Sequence, residues 1–146
     1  MTETVIDSTL QPAPTSTSAA QVLAVRHSRA MTTSTELTAA SDTVIVGKLP
    51  KGHVVVDCIV DVDDLDSGGS PAVVFDVGVE DDTDAFIAAS TAAQAGGIAR
   101  MNNKAGPRLA ASDSDREVIL TITTPPATDQ SGTIGCTLFY KAKPKE

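Results

Sequence analysis

The residues of this chain that could do chemistry are mainly aspartates, concentrated in VDVDDLDSGG, residues 60–69. Closely spaced carboxylates beside glycine are typical of a calcium-binding loop, because Ca²⁺ is bound by oxygen ligands. The aspartates of this stretch are Asp61, Asp63, Asp64 and Asp66, and they are followed by Gly68 and Gly69. The alternative interpretation is the acidic end of a β-strand and the turn that follows it.

The spacing of this stretch does not fit a helix–loop–helix calcium site. Such a loop needs oxygen ligands at positions 1, 3 and 5, glycine at 6 and glutamate at 12. Counting from Asp61 places Leu65 at position 5, and counting from Asp64 places Phe75 at position 12. Neither register works, so we predict no metal site and interpret residues 64–69 as turn chemistry.

A second acidic cluster leaves a different calcium geometry open. It consists of Glu80, Asp81, Asp82 and Asp84. The two clusters could share a cation only if the chain brought both to one end of the fold. A calcium-dependent binding module therefore stays as an alternative.

Charge is segregated along the chain. Residues 52–99 contain ten of the nineteen acidic residues and no Lys or Arg. This distribution favours oriented docking against a partner or a second copy. A solvated charged face is the alternative.

No catalytic constellation is recognisable, and we predict a protein without catalytic residues or cofactor. His27 precedes Ser28, but neighbouring residues of a strand point to opposite faces, so they do not form a base and its nucleophile. His53 lies beside a turn, where an exposed histidine is ordinary. The nucleophile, zinc-protease and phosphate-loop motifs are absent from the sequence.

Cys58 and Cys136 are far apart in the sequence, and each lies on the apolar face of a strand-like segment. We expect two buried free thiols, with a disulfide possible only if their strands are neighbours. Two cysteines and two histidines at these spacings do not make a zinc site.

The net charge of −8 and the pI of about 4.6 disfavour direct binding to nucleic acid. No apolar segment of about 18 residues is present, so we expect no membrane span. The first residues lack the basic and apolar regions of a secretory signal. We therefore expect synthesis in the cytoplasm.

Alternating apolar residues predict an all-β protein, an antiparallel β-sandwich or jelly roll of about eight strands. The predicted strands are residues 21–30, 31–40, 42–52, 53–63, 71–80, 97–101, 107–111, 116–124 and 133–142. Residues 64–70 would join two of them as a hairpin or meander connection. The Ala-rich segment that follows Asp84 predicts one short helix near residues 84–94.

The strand HVVVDCIVDVD, residues 53–63, has the strictest alternation. A period of two puts one set of side chains on the buried face: Val54, Val56, Cys58, Val60 and Val62. The opposite set would face outward: His53, Val55, Asp57, Ile59, Asp61 and Asp63.

We divide the chain into an extended N-terminal arm at 1–20, a sandwich domain at 21–142 and a C-terminal tail at 143–146. The arm is rich in Ser, Thr and Pro, and is either a disordered tail or a segment that orders on assembly. Its predicted partner contacts are Val5, Ile6, Leu10, Pro12 and Pro14.

Several segments together resemble the small capsid decoration, or cement, proteins of tailed bacteriophages. They are the turn GKLPKG, the strand VVVDCIVDVDD, the element FDVGVEDDTDAFIAAS and the closing strands REVILTITT and TIGCTLFYKA. The resemblance covers roughly residues 20–142, and its motifs are structural turns and strands.

The resemblance implies a jelly-roll protein on the exterior of the virion that clamps neighbouring capsid subunits. It implies two partners, the major capsid protein and the chain itself as a homotrimer. Another virion β-protein, such as a tail tube, head-fibre or minor capsid subunit, is the runner-up.

Overall fold

The computed structural model describes residues 3–5, 15, 20–31 and 37–144, and their regular structure is almost entirely β-strand. The strands are β1 Glu3–Val5, β2 Leu23–Met31, β3 Thr43–Leu49, β4 His53–Val62, β5 Val74–Val79, β6 Asp82–Ser90, β7 Gly97–Arg100, β8 Arg116–Thr124 and β9 Gly132–Ala142. The helical elements of the described residues are a 3₁₀ turn at Ala92–Gln94 and the one-turn helix α1 at Ala105–Arg108. No helix in these ranges is long and apolar enough to cross a membrane.

Eight of the strands form two packed four-stranded sheets, in the orders β2-β9-β4-β7 and β3-β8-β5-β6. These are the strand orders of a jelly roll, in which the chain passes repeatedly between two antiparallel sheets. Strand β1 adds to the free edge of β3 in the parallel direction. The expected all-β sandwich is therefore confirmed.

The core lies between the two sheets and consists mainly of Val, Ile and Leu. Alternation also predicts an inward row in the segments of β5, β8 and β9, and all three rows are buried. They are Val73, Phe75, Val77 and Val79; Val118, Leu120 and Ile122; and Ile134, Cys136, Leu138 and Tyr140. The largest fully buried side chains are Tyr140, Phe75 and Phe86.

Strand β4 departs from strict alternation because of a β-bulge between Val55 and Asp57. A bulge inserts an extra residue, so on one side of it the residues that would face inward face outward and the reverse. His53 and Val55 are consequently buried, whereas Val56 is exposed. The assignment of faces was right from Cys58 onward and wrong before the bulge.

The helix expected near residues 84–94 is wrong. Residues 82–90 form strand β6, which pairs with β5 through Phe75 and Ser90 and through Val77 and Ile87. Pairing with β5 and burial of Phe86 and Ile87 override the helical propensity of the alanines. Only the 3₁₀ turn after β6 is helical there.

Two further expectations are corrected by the connections. Residues 63–73 do not make a hairpin, because β4 and β5 belong to different sheets. The hairpin is β5–β6, where a Cβ at Gly78 would collide with the backbone of Asp82 and Thr83. The strand expected at 107–111 is absent, and α1 occupies its start.

The N-terminal half of the sandwich agrees in part with the strands predicted from the sequence. Strand β2 lies where residues 21–30 predicted it. Of the strand expected at 31–40, residues 37–40 are irregular and residues 32–36 lie outside the described part of the chain.

Candidate interaction surfaces

The two acidic clusters lie at opposite ends of the sandwich. We call the end formed by residues 63–73, 91–96 and 125–131 the loop pole. The end formed by residues 50–52, 80–81 and 109–115 is the turn pole. Strand β4 ends at the loop pole, whereas the β5–β6 turn lies at the turn pole. The two clusters therefore do not share a cation.

Asp66 is the centre of the loop pole. Its side chain is 2% exposed, and its two carboxylate oxygens accept five backbone N–H bonds of 2.7–3.2 Å. The donors belong to two separate loops: Gly68, Ala72 and Val73 in one, Ala127 and Thr128 in the other. One carboxylate thus joins segments sixty residues apart in sequence.

The protonation of Asp66 follows from these bonds. Burial alone would raise the pKa of this carboxyl, but the N–H groups of Ala72, Ala127, Thr128 and Gly68 stabilise the anion more strongly. The pKa of Asp66 is consequently held far below its ordinary value. The anion is compensated inside the protein by backbone dipoles.

The other aspartates at this pole also accept backbone hydrogen bonds that stabilise the loops. Asp63 accepts the backbone N–H of Thr133 at 2.8 Å, and Asp64 accepts the N–H of Asp66 at 2.9 Å. Within the described ranges, no group of three or more His, Cys, Asp or Glu side chains could hold a metal ion.

Asp61 faces the outer surface of the four-stranded sheet β2-β9-β4-β7, which we call the outer face. Arg26 on β2 reaches across β9 and binds Asp61 on β4 at 2.6 Å. The guanidinium passes directly over Gly135, where a Cβ would lie 2.7 Å from a carboxylate oxygen of Asp61 and clash with Arg26. The hydrogen bonds that Arg26 donates to Asp61 raise the pKa of Arg26.

A second ion pair, Arg100 with Asp57, lies on the same outer face. Two of the large apolar side chains that are exposed in the described residues, Val56 and Ile98, also belong to β4 and β7 of this sheet. The outer face therefore combines paired charges with accessible apolar groups, as protein-binding surfaces commonly do.

The second acidic cluster has a different character. The carboxyl of Asp84 raises the pKa of Asp82, by favouring a hydrogen bond with its protonated form and by its negative charge, and burial also raises this pKa. Nearby, a cavity of about 440 Å³ at the turn pole is lined by side chains of both signs, including Lys48, Glu80 and Arg116. Burial lowers the pKa of Arg116, and Asp81 opposes this shift.

The two cysteines face each other inside the sandwich, with their Sγ atoms 3.8 Å apart on neighbouring strands β4 and β9. Both are free thiols, as expected from the sequence. The contact with Cys58 and then burial raise the pKa of Cys136 well above its ordinary value. The thiols consequently behave as core side chains.

The two histidines lie on strands β2 and β4, in different surroundings. His27 is half-buried and its neighbour Ser28 is exposed, in agreement with their opposite faces. His53 is buried, contrary to the expected exposure. Its Nδ1 lies 2.9 Å from the carbonyl oxygen of Lys51, and its ring packs edge-on against Tyr140.

Of the predicted arm contacts, only Val5 lies within the described residues. It ends β1, opposite Ile45 in the parallel register. Ile6, Leu10, Pro12 and Pro14 lie outside the described residues.

Sequence reasoning missed the role of Asp66 and the ion pair across Gly135. A glycine within an otherwise regular strand was the available signal for the second, because such a glycine often marks the close approach of another group. Nothing local distinguishes Asp66 from its neighbours, since its donors come from distant residues.

The described residues define a jelly-roll sandwich whose acidic groups hold loops and form surface ion pairs. The chain is similar to a protein in the capsid of Ralstonia phage GP4, with 31% identity and a TM-score of 0.81 over 97% of this chain and 99% of that one. It therefore belongs to the same family of phage capsid proteins. A chain in the capsid asymmetric unit of cyanophage Pam1 shares the fold, with 24% identity and a TM-score of 0.74 over 91% and 93% of the two chains. The sequence matches no family model and no curated protein.

Proposed function

We propose that this protein decorates the exterior of a phage capsid and cements neighbouring capsid subunits. The observation that carries the proposal is the family relation to the phage GP4 capsid protein over nearly the full length of both chains. Membership of that family makes the chain a virion structural protein. The major capsid protein is the proposed partner.

The charge distribution supports an exterior position. An acidic protein with a net charge of −8 is repelled by packaged nucleic acid. Acidic residues lie at both poles of the sandwich, so turning the sandwich about its long axis would not remove them from the side that faces nucleic acid.

The flat sandwich supports cementing as the mode of action. The outer face presents Val56 and Ile98 beside the ion pairs Arg26–Asp61 and Arg100–Asp57. Contacts of this kind are weak singly, but many copies on one shell and several contacts per oligomer add through avidity. We propose a homotrimer, which also covers strand edges that would otherwise stay open.

A non-catalytic role is part of the proposal. The carboxylates of the loop pole and of the outer face are held by backbone N–H groups or by opposite charges, which is the arrangement of a structural protein. Assay of the purified protein for hydrolysis of peptides, glycans and phosphate esters should give no turnover.

The decisive experiment mixes purified protein with undecorated shells from a decoration-negative phage and images them. Binding at regular positions between capsomers, with higher resistance of the shells to heat, is the expected result. Shells that stay bare at saturating protein would refute the proposal. Rings or tubes formed without shells would instead favour a tail or fibre subunit.

The calcium-dependent module is tested separately. The five N–H groups around Asp66 already compensate its charge, so neither calcium nor EDTA should shift the melting temperature. A clear calcium-dependent rise would revive this alternative.

A further inference from the structure

The edge of β3 already binds a strand, and that strand is the N-terminal segment of the chain. Residues Glu3, Thr4 and Val5 pair in parallel with Thr43, Val44 and Ile45. The other side of β3 is paired with β8, so β1 completes the hydrogen bonding of an edge that would otherwise be open.

The pairing reaches a buried apolar position of β3. Ile45 lies opposite Val5 in the register and is 3% exposed, yet it does not belong to the core cluster between the sheets. The register therefore places β1 beside a part of β3 that carries a buried apolar side chain.

The connection from β1 to β2 is much longer than pairing within one chain needs. Strand β2 begins at Leu23, in the opposite sheet and on the same side of the sandwich as β3, and residues 6–22 separate it from Val5. Sheets lie about 10 Å apart and strands rise about 3.3 Å per residue, so the path within one copy is about 20 Å. An extended connection of this length spans about 55 Å. Connections this long are uncommon in compact domains unless they have a function.

We propose that β1 is exchanged between copies, so that residues 3–5 of one protomer pair with β3 of its neighbour in the assembled state. The hydrogen bonds are the same in the closed and exchanged forms, so exchange needs no new surface. The long connection gives only a modest advantage to the chain's own strand, since its effective concentration is in the millimolar range or below. Copies held side by side on a shell exceed that concentration. The inference rests on the proposed function and specifies how neighbours are linked.

Disulfide trapping between two single variants tests the exchange. One protein carries Glu3→Cys, and a second, distinguished by a larger C-terminal tag, carries Thr43→Cys. These positions are directly opposite in the register, and Thr43 is only partly buried. A disulfide between the two proteins joins different copies by construction. The double variant, with both cysteines in one chain, forms a disulfide whether β1 pairs within its own chain or with another copy.

The matched control places the second cysteine on the same strand at Lys48, five residues from Thr43 and beyond reach of a strand held in this register. Wild-type protein controls for the native thiols, which are buried. The mixture is equilibrated by partial unfolding and refolding, oxidised mildly, and separated without reductant, both as the soluble oligomer and bound to shells.

The expected result is a heterodimer band for Glu3→Cys with Thr43→Cys, about ten-fold stronger than with Lys48→Cys, because exchange holds the pair at high effective concentration. If the double variant gives only an intrachain disulfide and the mixture gives no heterodimer in either setting, the exchange is overturned. Failure to bind shells would refute the cementing function, while trapping in the soluble oligomer would still decide the exchange.

Discussion

Two acidic stretches of similar composition behave in opposite ways. At the loop pole, Asp66 is buried, accepts five N–H bonds and has a strongly lowered pKa. At the turn pole, Asp82 is partly exposed, faces another carboxyl and has a raised pKa. The difference shows that the surrounding donors, and not the density of aspartates, determine whether a carboxylate stabilises this fold.

The substitution Asp66→Asn is expected to have the largest effect. Asparagine keeps the size but brings N–H donors into a cage of N–H donors, so several hydrogen bonds are lost in a buried place. We expect the free energy of unfolding to fall by about 3 kcal/mol. Urea denaturation at pH 7 measures it, with Asp64→Asn as the control. A loss similar to that of the control would contradict the special role given to the donors around Asp66.

The pH dependence of the free energy of unfolding should also show the contribution of Asp66. Because the pKa of Asp66 is lower in the folded state than in the unfolded state, its contribution is present above the unfolded value near 4. It is lost as pH falls through the folded pKa, an effect of about 2–3 kcal/mol. Urea melts between pH 6 and 2 should show this loss in the wild type and a shallower one in Asp66→Asn. If the free energies of unfolding of the wild type and Asp66→Asn fell in parallel with pH, the lowered pKa would not belong to Asp66.

The substitution Gly135→Ala asks whether Asp61, in the same stretch as Asp66, depends on its surface partner. The new methyl group would displace Arg26 and weaken its ion pair with Asp61. Since both side chains are substantially exposed, we expect a loss of only about 1 kcal/mol. In the Arg26→Ala background the same change should cost less, and an equal cost in both backgrounds would exclude this coupling.

The smallest effect is expected at the turn pole. Asp84→Asn removes the like charge beside Asp82, so the pKa of Asp82 should fall toward its ordinary value and stability at pH 7 should rise by about 0.5 kcal/mol. In the wild type the raised pKa favours the folded state at low pH, and this contribution is lost as pH rises through it. NMR titration of the Asp82 carboxyl measures its pKa, and urea melts measure the free energy of unfolding. A clear destabilisation would mean that the pair holds structure as Asp66 does.

The sequence was informative wherever a signal was local. Alternation over β5, β8 and β9 identified their buried rows, because a strand repeats every two residues whatever it pairs with. The interpretation of residues 64–69 as turn chemistry agrees with the backbone N–H bonds that Asp64 and Asp66 accept there. The expected absence of a metal site stays a prediction. The predicted partner contacts of the arm, Val5 included, stay predictions.

The rest depended on partners distant in the chain. Strand β6 was mistaken for a helix because pairing with β5 is invisible in an Ala-rich segment. The bulge in β4 reversed the expected faces of His53 and Val55, since its position is set by pairing with β9. By itself, then, the sequence determined an acidic all-β protein with its main inward rows. Only the tertiary structure decided that Asp66 joins two loops and that Arg26 crosses Gly135, because the atoms that meet there come from segments brought together by folding.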